Sequence, residues 1–232
     1  MGKVTINEET CKNPIQIIGK YAGECWGANT ADELKNFKRG VNCLNSEHGR
    51  TWEFPDVYLT LDGYSARVIR EWYTHIGGSP SRLQASTRYI DYEHGFDYIV
   101  PAKIQHNQEA MKLYSQTMKD IAENLKQLDD LGIPREDSAL LLPLGMTTKI
   151  VCKHNFRNLV DMSHQRLCTR AYWEYRELFN DVIKALEEYS EEWKILTAML
   201  KPKCEVYGYC TEEHSCGRKP KRLIKNIEID KQ

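Results

Sequence analysis

An apolar stripe in the C-terminal half of the chain is the feature that most restricts its fold. Within residues 169–200, apolar side chains recur every three or four positions, at Ala171, Tyr175, Leu178, Val182, Leu186, Tyr189, Trp193, Leu196 and Leu200. This spacing is typical of one face of an α-helix. A stripe of this length does not face solvent alone. We therefore predict one helix from about residue 169 to 200, buried against its own domain or another subunit.

Strand and helix signals alternate in the rest of the chain. Residues 57–61 alternate apolar and polar side chains, and residues 147–152 give a second strand. Further amphipathic helices are predicted over 104–131 and 154–165. The polar segment 43–52 is predicted to be a loop. This mixture predicts an α+β fold.

Composition restricts the class of protein. The formal net charge is -1, which gives no basic field for nucleic acid. No apolar run approaches the ~18 residues that span a bilayer, and the first residues lack the apolar core of a signal peptide. We expect a cytoplasmic protein that binds neither nucleic acid nor membrane, with eight reduced cysteines. A single domain over residues 1–232 is the economical organisation.

The tail, residues 201–232, is rich in cysteine and basic side chains. Its potential metal ligands are Cys204, Cys210, His214 and Cys216. Five residues separate successive cysteines, unlike the tight Cys-x-x-Cys spacing of many zinc sites. We therefore predict a mobile or docking tail and no metal. A non-catalytic binding protein stabilised by zinc is the alternative.

Residues 70–89 form a first polar block with the properties of an anion site. Gly77 and Gly78 allow positive φ and a close approach to a ligand. Within ten residues the block offers four hydroxyls and two guanidiniums, from Ser79, Ser81, Ser86, Thr87, Arg82 and Arg88. Backbone N–H groups and arginines together can hold a phosphate. The alternative is an ordinary polar loop.

A second polar block covers residues 154–176. Four of its side chains fall near one face of the predicted helix: Asn155, Leu159, Met162 and Arg166. An amide and a guanidinium among apolar side chains need partners, which favours a ligand mildly. The alternative is a buried network between arginine and Glu174 or Glu177.

Together the two blocks resemble the flavin-dependent thymidylate synthases, the ThyX family. That family has an Arg-His-Arg triplet, a spacer, a serine and then Arg-Tyr, and here His75, Ser86, Arg88 and Tyr89 match it. A second family pattern, Asn-x-Arg-x-Leu followed by an arginine and Ala-Gln-Trp-Glu, is matched by Asn155, Arg157, Leu159, Arg166, Ala171, Trp173 and Glu174. The resemblance extends over nearly the whole chain.

The chain departs from the family pattern at several positions. Thr74 and Ile76 stand in place of the arginines that flank the motif histidine, and Ala139 stands in place of another arginine. The spacer before Ser86 is longer than in the family. Arg82 lies inside this insertion and could replace a lost charge.

The resemblance implies a fold and an activity. The fold is a single ThyX-like domain with a central mixed or antiparallel sheet and long helices. The activity is reductive methylation of dUMP to dTMP, with methylenetetrahydrofolate as carbon donor and NADPH-reduced FAD as hydride source. Family members form homotetramers with shared active sites. The altered motif leaves an alternative, a related flavoenzyme that acts on another pyrimidine nucleotide.

The resemblance also implies roles for individual residues. Arg166 matches the catalytic arginine that contacts the uracil and stabilises its developing charge. Binding of dUMP is expected to use Arg166 with Gln84, Ser86, Thr87 and Arg88. Binding of FAD is expected to use Thr51, His75, Asn155, Arg157 and Asp161.

Overall fold

The computed structural model describes residues 2–92 and 94–222. The strands are β1 (Lys3–Ile6), β2 (Asp56–Ser65), β3 (Ser81–Gln84) and β4 (Thr147–Asn155). The helices are α1 (Pro14–Glu24), α2 (Glu33–Asn45), α3 (Ala66–Trp72), α4 (Ala102–Gln105), α5 (Gln108–Asp130), α6 (Arg135–Ser138), α7 (Phe156–Arg166), α8 (Trp173–Tyr189), α9 (Glu191–Thr197) and α10 (Lys203–Tyr207). Short 3-10 helices cover Gly49–Glu53 and Ala139–Leu141. Within the described residues, no helix combines the length and apolar character that a membrane crossing requires.

The described strands form one antiparallel sheet in the order β1-β2-β4-β3. The central pair β2 and β4 runs in register from Asp56 opposite Asn155 to Ser65 opposite Thr147, with one irregularity between Asp62 and Tyr64. Alternate residues of β2 are buried, as the alternation of the sequence predicts. The predicted α+β fold with a central antiparallel sheet is therefore confirmed.

The strands differ from prediction in two ways. The edge strands β1 and β3 were not predicted, because neither has the length or the apolar content of a typical strand. β4 continues to Asn155, since its pairing with β2 extends to Asp56. The prediction that Asn155 lies on a helix is therefore wrong, because Asn155 ends a strand and α7 begins at Phe156.

The predicted helix over residues 169–200 is two helices. Ser190, between α8 and α9, has extended backbone angles of φ −160° and ψ 157°. Its hydroxyl accepts a hydrogen bond from the Trp193 N–H at 3.2 Å and so caps α9. The predicted burial of the stripe is confirmed, because Tyr175, Leu178 and Trp193 are fully buried.

The chain forms two compact units, each built from two chain segments. Unit 1 comprises Met1–Cys11 and Phe54–Asn155, and it contains the whole sheet with α3 to α6. Unit 2 comprises Lys12–Glu53 and the described residues from Phe156 onward, and it is helical. The single domain over residues 1–232 stays a prediction.

In unit 1, α3 and β4 fix the start of the first polar block. Ser65 caps α3 as its side chain accepts from the Val68 N–H at 3.1 Å. At the other end of α3, the fully buried Trp72 donates from Nε1 to Nε2 of His154 on β4 at 2.9 Å. This buried bond holds the chain where it enters the turn that carries His75.

In unit 2, buried polar and aromatic contacts organise the helices. The Glu192 carboxylate on α9 accepts from the Ile15 and Gln16 N–H groups at 2.7 and 3.1 Å, and so satisfies the first turn of α1. Phe156, the first residue of α7, packs against the rings of Trp52 and Trp193, with centroids 6.2 and 6.1 Å away. These contacts hold α7, which carries most of the second polar block.

Candidate functional site

The turn between α3 and β3 brings His75 and Asn155 to one part of unit 1. Gly78 has φ +72° and Ser79 has φ +51°, so the chain reverses through two left-handed residues. A Cβ added at Gly78 would lie only 2.4 Å from Asn155 Nδ2. Glycine therefore allows the turn to lie directly against the end of β4. His75 is half-buried on this turn, and the buried Asn155 donates from Nδ2 to the Gly78 carbonyl at 3.5 Å.

A second turn follows β3 and holds Ser86, Thr87 and Arg88. The Ser86 hydroxyl accepts from the Arg88 N–H at 3.3 Å, and the Arg88 guanidinium lies 5.4 Å from the Tyr89 ring centroid. Within residues 2–92 and 94–222, no carboxylate pairs with Arg88 and no acceptor meets the Thr87 N–H. The turn thus presents a hydroxyl, a backbone N–H and an exposed cation, which together suit a phosphate.

Gln84 and a small cavity lie next to the turn that holds Ser86, Thr87 and Arg88. Gln84, at the end of β3, donates from Nε2 to the Thr148 hydroxyl on β4 at 3.4 Å. A small cavity is lined by Thr87, Ala139 and Arg135 among others. Nη2 of Arg135 pairs with the Asp91 carboxylate at 2.8 Å. A cation therefore lines the cavity that Ala139 shares with Thr87.

In unit 2, a 3-10 helix places Thr51 near the start of α7. The predicted loop over residues 43–52 is wrong, because α2 extends to Asn45 and the 3-10 helix begins at Gly49. Cys43 is buried on α2, so the helix continues past the first residue of the predicted loop. Thr51 donates its hydroxyl to the His48 carbonyl at 2.8 Å.

Arg157 and Asp161 lie on α7. Nη1 of Arg157 meets the carboxylate of Glu53, in the 3-10 helix, at 2.6 Å. Asp161 is exposed one helical turn later. The short helix that carries Thr51 therefore ends in the carboxylate that holds Arg157.

Arg166 is the last residue of α7. Its guanidinium is half-buried and lies 4.9 Å from the ring centroid of Tyr175, which is fully buried on α8. This cation–π contact orients the guanidinium. Arg166 lines a cavity of about 460 Å³ within unit 2, which is large enough for a small organic ligand.

This cavity has a strongly cationic lining. Its basic side chains are those of Arg166, Arg170, Lys203, Arg218 and Lys219. Among the described residues of the lining, the one carboxylate is that of Glu212, which pairs with Arg170 at 3.2 Å. Such a lining favours an anionic ligand.

The potential metal ligands of the tail, which belong to the alternative of a zinc-stabilised protein, line the same cavity. They are Cys204, Cys210, His214 and Cys216. Even so, no three Cys, His, Asp or Glu side chains of the described residues are arranged to hold a metal ion. The described part of the tail belongs to unit 2, where its Glu212 pairs with Arg170, and residues 223–232 of the predicted tail lie outside the described residues.

Two groups of the cavity have shifted pKa values. A hydrogen bond with the Thr169 hydroxyl, the Arg218 backbone N–H and the Arg218 charge lower the pKa of the Cys216 thiol. Burial lowers the pKa of His164, against the opposing charge of Asp161. Burial disfavours the charged imidazolium, so the His164 ring is neutral near pH 7.

Two residues that position the predicted site were not found from the sequence. Glu53 holds Arg157, and His154 holds Trp72. Neither lies at helical or strand spacing from its partner, so no periodic signal pointed to it. His154 could have been singled out by its position directly before Asn155.

Comparisons with known proteins agree in one family. The family model described as thymidylate synthase complementing protein matches residues 8–190. The flavin-dependent thymidylate synthase of Nitratidesulfovibrio vulgaris is 30% identical over 215 residues, covering 87% of this chain and 85% of that protein. The flavin-dependent thymidylate synthase of Pyrococcus furiosus is 31% identical over 224 residues, covering 91% and 90%.

Two solved structures share the fold. Thymidylate synthase X (ThyX) from Helicobacter pylori, crystallised with FAD and dUMP, aligns with a TM-score of 0.65 at 18% identity, covering 87% of this chain and 100% of that chain. PolB from Streptomyces cacaoi, a UMP/dUMP methylase bound with 5-Br dUMP, aligns with a TM-score of 0.70 at 16% identity, covering 85% and 95%. At these identities the two alignments describe the fold.

Proposed function

The chain belongs to the family of flavin-dependent thymidylate synthases, and we propose that it catalyses the reductive methylation of dUMP to dTMP. In this reaction methylenetetrahydrofolate provides the carbon, and FAD, reduced by NADPH, provides the hydride. The family match over residues 8–190 is the observation that carries this proposal. The protein's contribution is to bind, orient and stabilise charge.

The residues present fit a flavin nucleotide. In unit 1, the backbone at Gly78 lies so close to the Asn155 amide that a Cβ would not fit between them, and His75 is half-buried on the same turn. In unit 2, Thr51 is followed by Trp52, whose buried indole N–H finds no acceptor among the described residues. A buried donor of this kind calls for a partner. We assign FAD binding to His75 and Asn155 in unit 1, and to Thr51, Arg157 and Asp161 in unit 2.

The turn after β3 is assigned to the dUMP phosphate. The Ser86 hydroxyl, the Thr87 N–H and the Arg88 guanidinium are three donors on adjacent residues, and the cation has no competing carboxylate among the described residues. Charge-assisted hydrogen bonds of this kind are the stronger ones. Gln84 holds β3 to β4 through Thr148 and exposes the rest of its amide beside the turn.

Arg166 is assigned the catalytic role. A guanidinium stays charged when partly buried, so it can contact the uracil and stabilise negative charge that develops on the ring. Its stacking on Tyr175 fixes its orientation before the substrate arrives. Ser86 is a phosphate ligand and not a nucleophile, because among the described residues its hydroxyl contacts the Arg88 N–H and no basic side chain.

The oligomeric state that we assign to this protein is the one that the family resemblance implies. We assign a homotetramer with shared active sites, and its support is the apolar surface of unit 1. Among the 23 residues of α5, Met118 and Leu125 are buried, while Leu113 is 71% exposed and Leu140, in the following 3-10 helix, is 86% exposed. Such exposed apolar surface favours association.

We also assign a cytoplasmic location. All eight cysteines are free thiols, which supports this location.

The proposal is tested on purified protein under anaerobic conditions. The visible spectrum is recorded before and after NADPH, with and without dUMP, and dTMP is then measured after adding methylenetetrahydrofolate. We expect a flavin spectrum that NADPH bleaches, together with dTMP formation. A protein that takes up no added FAD would contradict the proposal. Methylation of UMP or dCMP in place of dUMP would support the related flavoenzyme instead.

A further inference from the structure

Arg82 on β3 carries a charge that no described carboxylate balances. Its Nη1 donates to the Trp72 carbonyl at 3.3 Å, and its guanidinium lies 4.9 Å from the Tyr73 ring centroid. The side chain is half-buried, and among the described residues no Asp or Glu pairs with it. Partial removal from water makes an uncompensated charge costly, so this position favours an anionic ligand.

The sheet register explains how Arg82 reaches this place. β3 pairs with β4 so that Arg82 lies opposite Cys152. This pairing returns the chain to the end of α3, where Arg82 contacts the two residues that precede Thr74. Burial raises the pKa of the Tyr73 hydroxyl and the Arg82 charge opposes that rise, so the charge acts on a partly desolvated neighbour.

The positions on either side of His75 supply no cation. Thr74 is exposed and donates its hydroxyl to the Glu71 carbonyl at 2.7 Å. Ile76 leaves 74% of its surface exposed, so its apolar side chain gains little from packing. In the family pattern these two positions are arginines. Here it is the guanidinium of Arg82 that contacts the entry to this turn, through the Trp72 carbonyl.

We infer that Arg82 replaces the cations absent at Thr74 and Ile76 and binds a nucleotide phosphate beside His75. The inference rests on the proposed function, which provides two nucleotides, FAD and dUMP. FAD is the expected source of the phosphate, because Arg82 contacts the entry to the His75 turn. Arg88 already supplies a cation at the turn assigned to dUMP.

The test compares four variants of the full chain with the wild type. Arg82→Gln removes the charge, Arg82→Lys keeps a charge without the planar fork, and Lys119→Gln removes an equal charge from the exposed surface of α5. The fourth variant adds Thr74→Arg to Arg82→Gln and so restores an arginine of the family motif. The dissociation constants for FAD, from flavin fluorescence, and for dUMP, from calorimetry, are measured on flavin-free protein, with the melting temperature of each variant.

We expect Arg82→Gln to weaken FAD binding about tenfold or more, the effect of losing one charge-assisted contact. Lys119→Gln should leave FAD binding unchanged, and Thr74→Arg should restore part of the loss. A loss confined to dUMP would also support a phosphate contact and would assign it to the substrate. Unchanged affinity for both nucleotides would overturn the inference and leave the proposed function intact.

Two further outcomes are decisive. A wild-type protein that binds neither nucleotide would overturn the inference and the proposed function together. If Arg82→Gln does not fold, Arg82→Lys carries the test, because it keeps a cation in the half-buried position. In that case FAD binding should weaken several-fold, and unchanged binding of both nucleotides would overturn the inference.

Discussion

The two polar blocks hold their cations in different ways. In the first, Arg82 and Arg88 stack on tyrosine rings, and no described carboxylate pairs with either. In the second, Glu53 holds Arg157 at 2.6 Å, and Arg166 stacks on the buried ring of Tyr175. A cation that the protein already orients is preorganised for chemistry, whereas a cation without a counter-charge gains most when an anion binds. We therefore expect the cations of the first block to act mainly on ligand affinity, and those of the second block to act on catalysis and stability as well as on binding.

The largest expected effect belongs to Arg166. Arg166→Ala should lower kcat for dTMP formation roughly 10²- to 10³-fold, because it removes a fixed donor for the developing charge. The rate is measured with saturating dUMP on protein whose flavin has been reduced beforehand. Affinity for dUMP should change less than the rate. A variant with wild-type kcat would contradict the catalytic role.

A conservative variant separates charge from geometry at this position. Arg166→Lys keeps the charge but loses the planar fork and its stacking on Tyr175. We expect its rate to lie between those of the wild type and Arg166→Ala. Equal rates for the lysine and alanine variants would show that orientation, and not charge alone, limits the reaction.

Arg88 should show the opposite behaviour. Because Arg88 is exposed and has no described ion pair, Arg88→Gln should weaken dUMP binding about tenfold while the melting temperature stays unchanged. Calorimetry measures the affinity, and thermal denaturation measures stability. Lys119→Gln on α5 removes an equal charge from the exposed surface of unit 1 and serves as the control. Wild-type affinity in Arg88→Gln would remove the phosphate assignment.

Local signals in the sequence predicted much of the fold. The strand β2 was found because its alternation of apolar and polar side chains depends only on neighbouring residues. The break at Ser190 was missed, since the apolar spacing continues unchanged on both sides of it. The edge strands were missed because their backbone pairing, and not their side chains, defines them.

The site was predictable only as far as its residues are neighbours in sequence. The cluster of Ser86, Thr87 and Arg88 stands in three adjacent positions and needed no fold to be recognised. The contact of Arg82 with Trp72 depends on the register of β3 against β4, which no local pattern encodes. The same holds for Glu53 and Arg157, which are 104 positions apart.

The ion pair of the second block can be divided between binding and stability. Arg157→Gln and Glu53→Gln both break the half-exposed pair, so each should cost at most about 1 kcal/mol of unfolding free energy. Only Arg157→Gln removes the cation, so only it should weaken FAD binding, by about tenfold. Denaturant unfolding and flavin fluorescence measure the two quantities. Equal losses of FAD affinity in both variants would show that the pair acts on the flavin through structure alone.

The smallest expected effect concerns His164 on α7, where burial lowers the pKa of the imidazole below its usual value of 6.5. The unfolded chain then takes up a proton at a higher pH than the folded chain does. The contribution of His164 to the free energy of unfolding is therefore fully present above pH 6.5 and is lost as the pH falls through the folded-state pKa.

His164→Gln cannot take up this proton, so its melting temperature should fall less steeply than that of the wild type between about pH 7 and 5. At pH 8 both proteins have a neutral side chain here, so any difference measured there is the packing effect of the substitution, and subtracting it isolates the protonation effect. Parallel curves after that subtraction would mean that other groups cause the acid loss of stability in the second block.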